Sequence, residues 1–328
     1  MENNYSKGHY QINIGYKSDV GRVRTKNEDF LESFECGFGN VFIVCDGMGG
    51  HTGGEVASKL AVSTIKDFIL NYSGEIKDVS KLISEALNAA NFALHNKTKE
   101  NPGLSGMGTT CVILIINSSG AYFGNIGDSR LYLIRGDKIH QLTRDQSFVR
   151  ELVDQGLISC EDAENHPRKN EILQALGVTL KLKPQLNPEG LKVFKDDKFL
   201  LCSDGLSGMV KDNDILGIVN LFSVTDACDK LVDFANMNGG TDNITVLLGQ
   251  VLDGDAIPDD LKNFPPLNID IKEPEKTEKP DNNSLNEASR KIPASNDKDS
   301  RTGNSRIIFL AIVGIILVIL ALILFKKI

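Results

Sequence analysis

At 328 residues, with an apolar fraction of 41% and no tryptophan, the chain is long enough for one large domain or two small ones. Its net charge of −8 argues against nucleic acid as a partner, since binding a phosphate backbone needs a clustered basic face. The six cysteines, Cys36, Cys45, Cys111, Cys160, Cys202 and Cys228, form no C-x-x-C pair and sit mostly in apolar runs. They read as reduced core thiols of a cytosolic domain, not a disulfide frame or a zinc site.

The N-terminal stretch is too polar for a secretory signal, and Ile12 to Tyr16 is a short strand candidate. Val41 to Cys45 reads as a fully buried strand that halts at Asp46, followed by a turn with Gly47, Gly49, Gly50 and then His51. Most Asp-Gly pairs are simple turns; here the glycines would allow positive φ and leave the Gly47 carbonyl free as an oxygen ligand. Glu55 to Tyr72 and Val79 to about Thr98 repeat apolar residues at the offsets of one buried helical face. After Gly108 the period becomes that of strands: TTCVILII, AYFGNIG, RLYLIRGDKIHQLT, KFLLCSDG and NITVLLGQV. Tyr122–Gly127 and Leu131–Ile134 flank GDSR and predict a meander of antiparallel strands, with the next turn at Arg135–Lys138. Gln146 to Pro167 starts helical and becomes irregular. Strands grouped with strands and helices with helices predict an antiparallel α+β domain over residues 8–252.

Residues 253–304 change character: six of the ten prolines fall there, among Asn, Ser, Asp, Glu and Lys. Such a composition buries too little apolar surface to offset its ordering entropy and predicts a disordered tether with a span of roughly 40 Å. Ile307 to Phe325 then runs nineteen residues without a charge. At about 1.5 Å per residue that matches the hydrocarbon thickness of a bilayer and predicts one transmembrane helix. Arg306 and Lys326–Lys327 nearly balance across it. With no export signal upstream, the expectation is a tail-anchored, single-pass protein of the cell membrane whose large N-terminal part is cytoplasmic.

Asp46, Asp128, Asp204 and Asp242 each lie at an expected strand end, and each is followed by Gly, Ser or Asn. Four independent turn aspartates would give the same spacing. Brought together, such carboxylates would suit hard ions such as Mg²⁺ or Mn²⁺, and a pair of ions can activate water for in-line phosphoryl displacement. The segments SDVGRVRTKNEDF (Ser18–Phe30), VCDGMGGHTGGEVAS (Val44–Ser58), GTT (Gly108–Thr110), GNIGDSRLYL (Gly124–Leu133), LTRDQS (Leu142–Ser147), ALG (Ala175–Gly177), CSDGL (Cys202–Leu206) and GGTDNITV (Gly239–Val246) follow in that order. The set resembles the metal-dependent protein phosphatases of type 2C, the PPM family, in their compact bacterial form.

The resemblance implies a central antiparallel β-sandwich flanked by helices, a four-layer αββα fold, with two to three Mn²⁺ or Mg²⁺ ions. It assigns Asp46 to bridge two metals, with Asp204 and Asp242 completing one site, and the Gly47 carbonyl, with Glu28 through water, completing the other. Asp128 with Asp204 forms a weaker third site. Arg24 holds the substrate phosphate, a role that suits a planar bidentate donor, and His51 protonates the leaving Ser or Thr oxygen. Asp29 and Asn243 orient ligands. His9, His95, His140 and His166 have no motif behind them, and Gln146 stands where the family usually has a histidine, at the start of a flap over 146–170. The expected activity is hydrolysis of phosphoserine and phosphothreonine on proteins by a metal-bridging hydroxide, opposing a membrane Ser/Thr kinase. Two alternatives stand beside it: a silent module that binds phosphoproteins, and a phosphatase dedicated to an anti-sigma-factor antagonist.

Overall fold

The computed structural model describes residues 9–49, 53–73 and 78–258. Two compact units divide the chain, residues 1–275 and 276–328, and the described residues all belong to the first. The stretch Ile307–Phe325 lies outside them, as does most of 253–304. Among the described residues no helix is long and apolar enough to cross a membrane.

Among the described residues, eleven strands form two antiparallel sheets. The first has the order β1 (Ile12–Asp19), β11 (Ile244–Val251), β10 (Lys198–Cys202), β7 (Arg130–Arg135), β8 (Lys138–Gln141). The second runs β2 (Asp29–Cys36), β3 (Gly39–Met48), β5 (Cys111–Asn117), β6 (Gly120–Ile126), β9 (Gln185–Leu186), with β4 (Gly108–Thr109) paired to the last residues of β3. Because side chains alternate along a strand, each sheet has two apolar faces to bury. One face of each meets the other sheet, where Phe42, Val44, Leu114 and Phe123 pack with Leu131, Leu133, Phe199, Leu201 and Leu247. The outer face of the second sheet is covered by α1 (Gly53–Leu70) and α2 (Val79–Glu100), through Ile65, Ile69, Ile83 and Leu87 against Ile43, Ile113 and Ile115. The outer face of the first is covered by α6 (Asp212–Leu221) and α7 (Val224–Met237), through Val219, Leu231 and Ala235 against Leu200, Val246 and Leu248. The result is the expected helix–sheet–sheet–helix stack.

Three sequence expectations change. The strand expected to stop at Cys45 continues to Met48, because Gly47 and Met48 pair with Thr109 and Gly108 of β4. Asp46 thus sits inside a strand. The expected meander of β6 into β7 is a crossover instead: β6 belongs to one sheet and β7 to the other, and of the two turns expected in that meander the one between β7 and β8 closes a hairpin. Both strands are almost wholly buried runs, so their pattern cannot tell a hairpin from a change of sheet. Finally, Gln146–Pro167 holds two short helices, α3 (Phe148–Asp154) and α4 (Cys160–Glu164), separated by a turn at Gly156 with φ +68°. The remaining short helix, α5 (Asp204–Ser207), follows β10 directly.

Candidate active site

The topology carries the candidate acids to one end of the sandwich. β10 ends at Cys202 beside the start of β11 at Ile244, since Cys202 and Val246 are register partners, and so Asp204 and Asp242 leave neighbouring strands. Asp29 and Asp46 are direct cross-strand partners at the same end of the other sheet. Asp128 sits in the crossover that joins the two sheets. Five carboxylates therefore converge from both sheets, although they span more than two hundred positions of sequence.

Their electrostatics follow from that convergence. Burial, and then repulsion from Asp29, Asp204, Asp128 and Asp242, hold the Asp46 carboxyl well above the ordinary carboxylate range. Asp128 is pushed to about 8 by burial and by the charges of Asp204 and Asp145. Asp29 is pushed to about 7, mainly by burial, against hydrogen bonds from Ser203 and Thr245 that favour its charged form. Asp204 is raised by burial and by Asp242, an effect opposed by its hydrogen bond with Asp46 and by Arg24 and Arg130. Asp29 Oδ1 and Asp204 Oδ1 are buried and have no hydrogen-bond partner. Buried acceptors are normally satisfied, so orphaned carboxylate oxygens within a repelling set fit a hard divalent cation as their missing partner.

Arg24 lies at the lip of this cluster, with Nη2 donating to Asp242 Oδ2 at 2.7 Å. Asp242 Oδ1 accepts from the Asn243 backbone N–H at 2.8 Å. Both Asp242 oxygens are thus engaged, and among the described residues no three His, Cys, Asp or Glu side chains form a ready-made ligand cluster. A guanidinium beside crowded acids supplies the counter-charge that their burial demands. Glu28 reaches the cluster from the loop before β2: its backbone oxygen accepts from Gly47 N–H at 3.2 Å and from Ser58 Oγ at 2.6 Å. Its carboxylate fills the space that a side chain on Gly54 would need, 2.7 Å from an ideal Cβ there. Gly47 is glycine for close approach and not for a positive φ, because a Cβ there would stand 2.1 Å from Gly54 O. The positive φ belongs to Gly49, at +142°. His51 lies outside the described residues.

Several supporting contacts go beyond the orienting role that the resemblance gave Asp29 and Asn243. Asn243 staples the Arg24 loop: its Nδ2 donates to Val20 O at 3.0 Å and Lys26 O at 2.8 Å, and its Oδ1 accepts from Glu28 N–H at 2.8 Å. Ser203 Oγ donates to Asp29 Oδ2 at 2.7 Å. Thr110 Oγ1 accepts from Asp46 N–H at 3.0 Å and shares a hydrogen bond with Ser129 Oγ at 2.7 Å. Behind Asp128, Arg130 makes a bidentate pair with Asp145, Nε to Oδ1 at 2.9 Å and Nη2 to Oδ2 at 2.6 Å. All of these lie in the ordered segments GTT, GDSR, LTRDQS, CSDGL and GGTDNITV, which is the signal that could have found them. His95 and His166 sit away from the cluster, against Thr179 and Phe148.

Residues 22–248 match the sequence profile of the family described as protein phosphatase 2C. Protein phosphatase PhpP of Streptococcus pneumoniae is 37% identical over 248 residues, covering 75% of this chain and 100% of the relative. The crystal structure of the Mycobacterium tuberculosis serine/threonine phosphatase PstP/Ppp superposes with a TM-score of 0.67 at 33% identity, covering 74% of this chain and 99% of that one. A structure of the PstP catalytic domain in complex with two manganese ions matches with a TM-score of 0.65 at 33% identity, over 74% of this chain and 99% of that one. The chain therefore belongs to the protein phosphatase 2C family of protein-serine/threonine phosphatases.

Proposed function

We propose that the chain is a Mn²⁺- or Mg²⁺-dependent phosphatase for phosphoserine and phosphothreonine on proteins, tethered to the membrane through Ile307–Phe325 and opposing a membrane Ser/Thr kinase. The observation that carries the enzymatic part is the convergence of Asp29, Asp46, Asp128, Asp204 and Asp242 beside Arg24, with two buried carboxylate oxygens lacking partners. Asp46, Asp204, Asp242 and the Gly47 carbonyl, with Glu28 behind them, would hold two ions. Asp128 with Asp204 would hold a third. Divalent ions bound there would activate water for in-line attack on phosphorus and neutralise the charge that builds on the phosphoryl oxygens.

The chain's own residues supply the rest. Arg24 spends one N–H on Asp242 and keeps further donors for a phosphate oxygen at the half-exposed lip. Asn243 holds that loop in place, so the guanidinium is positioned before substrate arrives. Asp29, gripped by Ser203, braces Asp46 across the β2–β3 pair. His51 is assigned the proton delivered to the departing Ser or Thr oxygen. The membrane reading rests on the uncharged nineteen-residue run and on a tether that confines the enzyme to the surface where such a kinase works.

The test is phosphate release from a phosphothreonine peptide by the full chain with Mn²⁺. Asp46→Ala and Asp242→Ala should each lose turnover by at least about 10²-fold while keeping the wild-type circular dichroism. Folded wild-type protein that releases no phosphate with Mn²⁺ or Mg²⁺ overturns the enzymatic reading. Recovery of the chain in the soluble fraction of its host cell overturns the tether.

A further inference from the structure

Gln146 uses all four of its hydrogen-bonding groups, and they point to two different places. Toward the Asp128 turn, its backbone N–H donates to Gly127 O at 2.9 Å, and its Oε1 accepts from Gly127 N–H at 2.9 Å. Away from it, its backbone oxygen accepts from Leu173 N–H at 2.8 Å, and its Nε2 donates to Lys183 O at 3.0 Å. Neither end is free to drift. Gly127 has φ +95° and packs against Thr110, which holds Asp46, and an ideal Cβ on Gly127 would stand 2.7 Å from Thr110 Cγ2. The other end belongs to segment 171–183, fixed further along by Asn91 on α2: Oδ1 accepts from Gly177 N–H at 2.7 Å and Nδ2 donates to Thr179 O at 2.9 Å.

The geometry points to Gln146 as a positioning residue that clamps the turn carrying Asp128 to segment 171–183, so that a cation taken up at Asp128 and the ordering of that segment are coupled. The inference rests on the metal-dependent reading of the site given above. A carboxamide suits the task because it offers a donor and an acceptor at once and does not titrate in the physiological range. Coupling of this kind is reciprocal: whatever steadies the segment, including a bound phosphoprotein, tightens the hold on the ion by the same factor.

Hydrogen exchange of the full chain, with and without Mn²⁺, tests the clamp. In the wild type, Mn²⁺ slows exchange both in residues 120–130 and in residues 171–183. Gln146→Met keeps the backbone bonds to Gly127 and Leu173, so Mn²⁺ still slows 120–130 and 171–175 but no longer slows 181–183, and Mn²⁺ affinity at the weakest site falls about twofold to tenfold, the worth of one or two net hydrogen bonds. Gln146→Glu keeps an acceptor for Gly127 N–H but has no donor for Lys183 O, so it uncouples 181–183 even if the methionine variant folds poorly. Asn91→Ala is the contrasting control: it loosens 177–180 in both metal states and leaves the Mn²⁺ response of 171–175 and 181–183 in place. The clamp is overturned if Mn²⁺ still slows 181–183 in both Gln146 variants, or if wild-type 171–183 ignores Mn²⁺ while 120–130 responds. If neither wild-type segment responds, it is the metal reading of the site that fails, and the coupling with it.

Discussion

Gly47 shows how far single positions decide this site. The residue lies where the end of β3 passes under the first turn of α1, and an added methyl would stand 2.1 Å from Gly54 O and 2.5 Å from Glu28 O. Both obstacles are backbone, so the strand and the helix must part. Gly47→Ala should therefore cost about 1–3 kcal/mol of stability from overpacking and lower kcat by about 10²-fold through displacement of Asp46 and Glu28. Thermal denaturation and phosphopeptide turnover measure the two effects. Gly136→Ala is the control, since that glycine has φ +61° in open space: about 1 kcal/mol is expected, with turnover unchanged. At this scale the sequence was legible in what it offered and not in how it was held. Asp46, Asp128, Asp204 and Asp242 announce themselves by residue type and context. The pairing of Arg24 with Asp242, and the grip of Ser203 on Asp29 across 174 positions, depend on long-range contacts that no local pattern encodes.

At the scale of elements, the buried pair Arg135–Asp197 links the β7–β8 hairpin to the segment that leads into β10. Arg135 Nε and Nη2 donate to Asp197 Oδ1 and Oδ2, each at 2.7 Å, and Nη2 also donates to Lys192 O at 2.9 Å. The Phe194 ring lies 4.7 Å from the guanidinium carbon. Desolvation of two charges offsets much of their attraction, but removing one partner strands the other. Arg135→Leu should cost about 3–5 kcal/mol, while Arg135→Leu combined with Asp197→Leu should recover part of it; urea midpoints of the two variants decide. Most elements were readable from their period. α1, α2, β5, β10 and β11 follow their apolar spacing because each buries one face or two against a neighbouring layer. β6 and β7 were readable as strands but not as members of different sheets, since the β-period fixes which residues face inward and says nothing about which partner receives them. That misreading matters functionally, because the change of sheet is what brings Asp128 to the shared end.

At the scale of the whole molecule, the site opposes the fold that builds it. Carboxylates that a chain would ordinarily scatter over its surface are packed at one end of the sandwich, and the folded-state pKa values of Asp29, Asp46, Asp128 and Asp204 lie above those of the unfolded chain. Asp29 titrates at about 7 and Asp128 at about 8, against an ordinary value of 3.8. A raised acid binds its proton more tightly when folded, so its contribution to stability is full below the unfolded value and is lost as pH rises through the folded one. For protein stripped of divalent ions, stability should therefore fall as pH rises from about 4 to about 8, each such group contributing up to about 1.4 kcal/mol per pH unit within its window. Divalent ions reverse the sign. They bind the ionised carboxylates, so their affinity rises with pH, and the stabilisation they give grows as the logarithm of their concentration. Tm measured from pH 5 to pH 8 should fall in chelator and stay level or rise in millimolar Mn²⁺, with the two curves meeting at the acid end. Asp128→Asn, which removes one of the raised acids, should flatten the chelator curve while leaving a Mn²⁺ response from the other carboxylates. Parallel curves with and without Mn²⁺ would mean that the converged acids carry no cation, and that their mutual repulsion is relieved by protons and by the charges of Arg24 and Arg130.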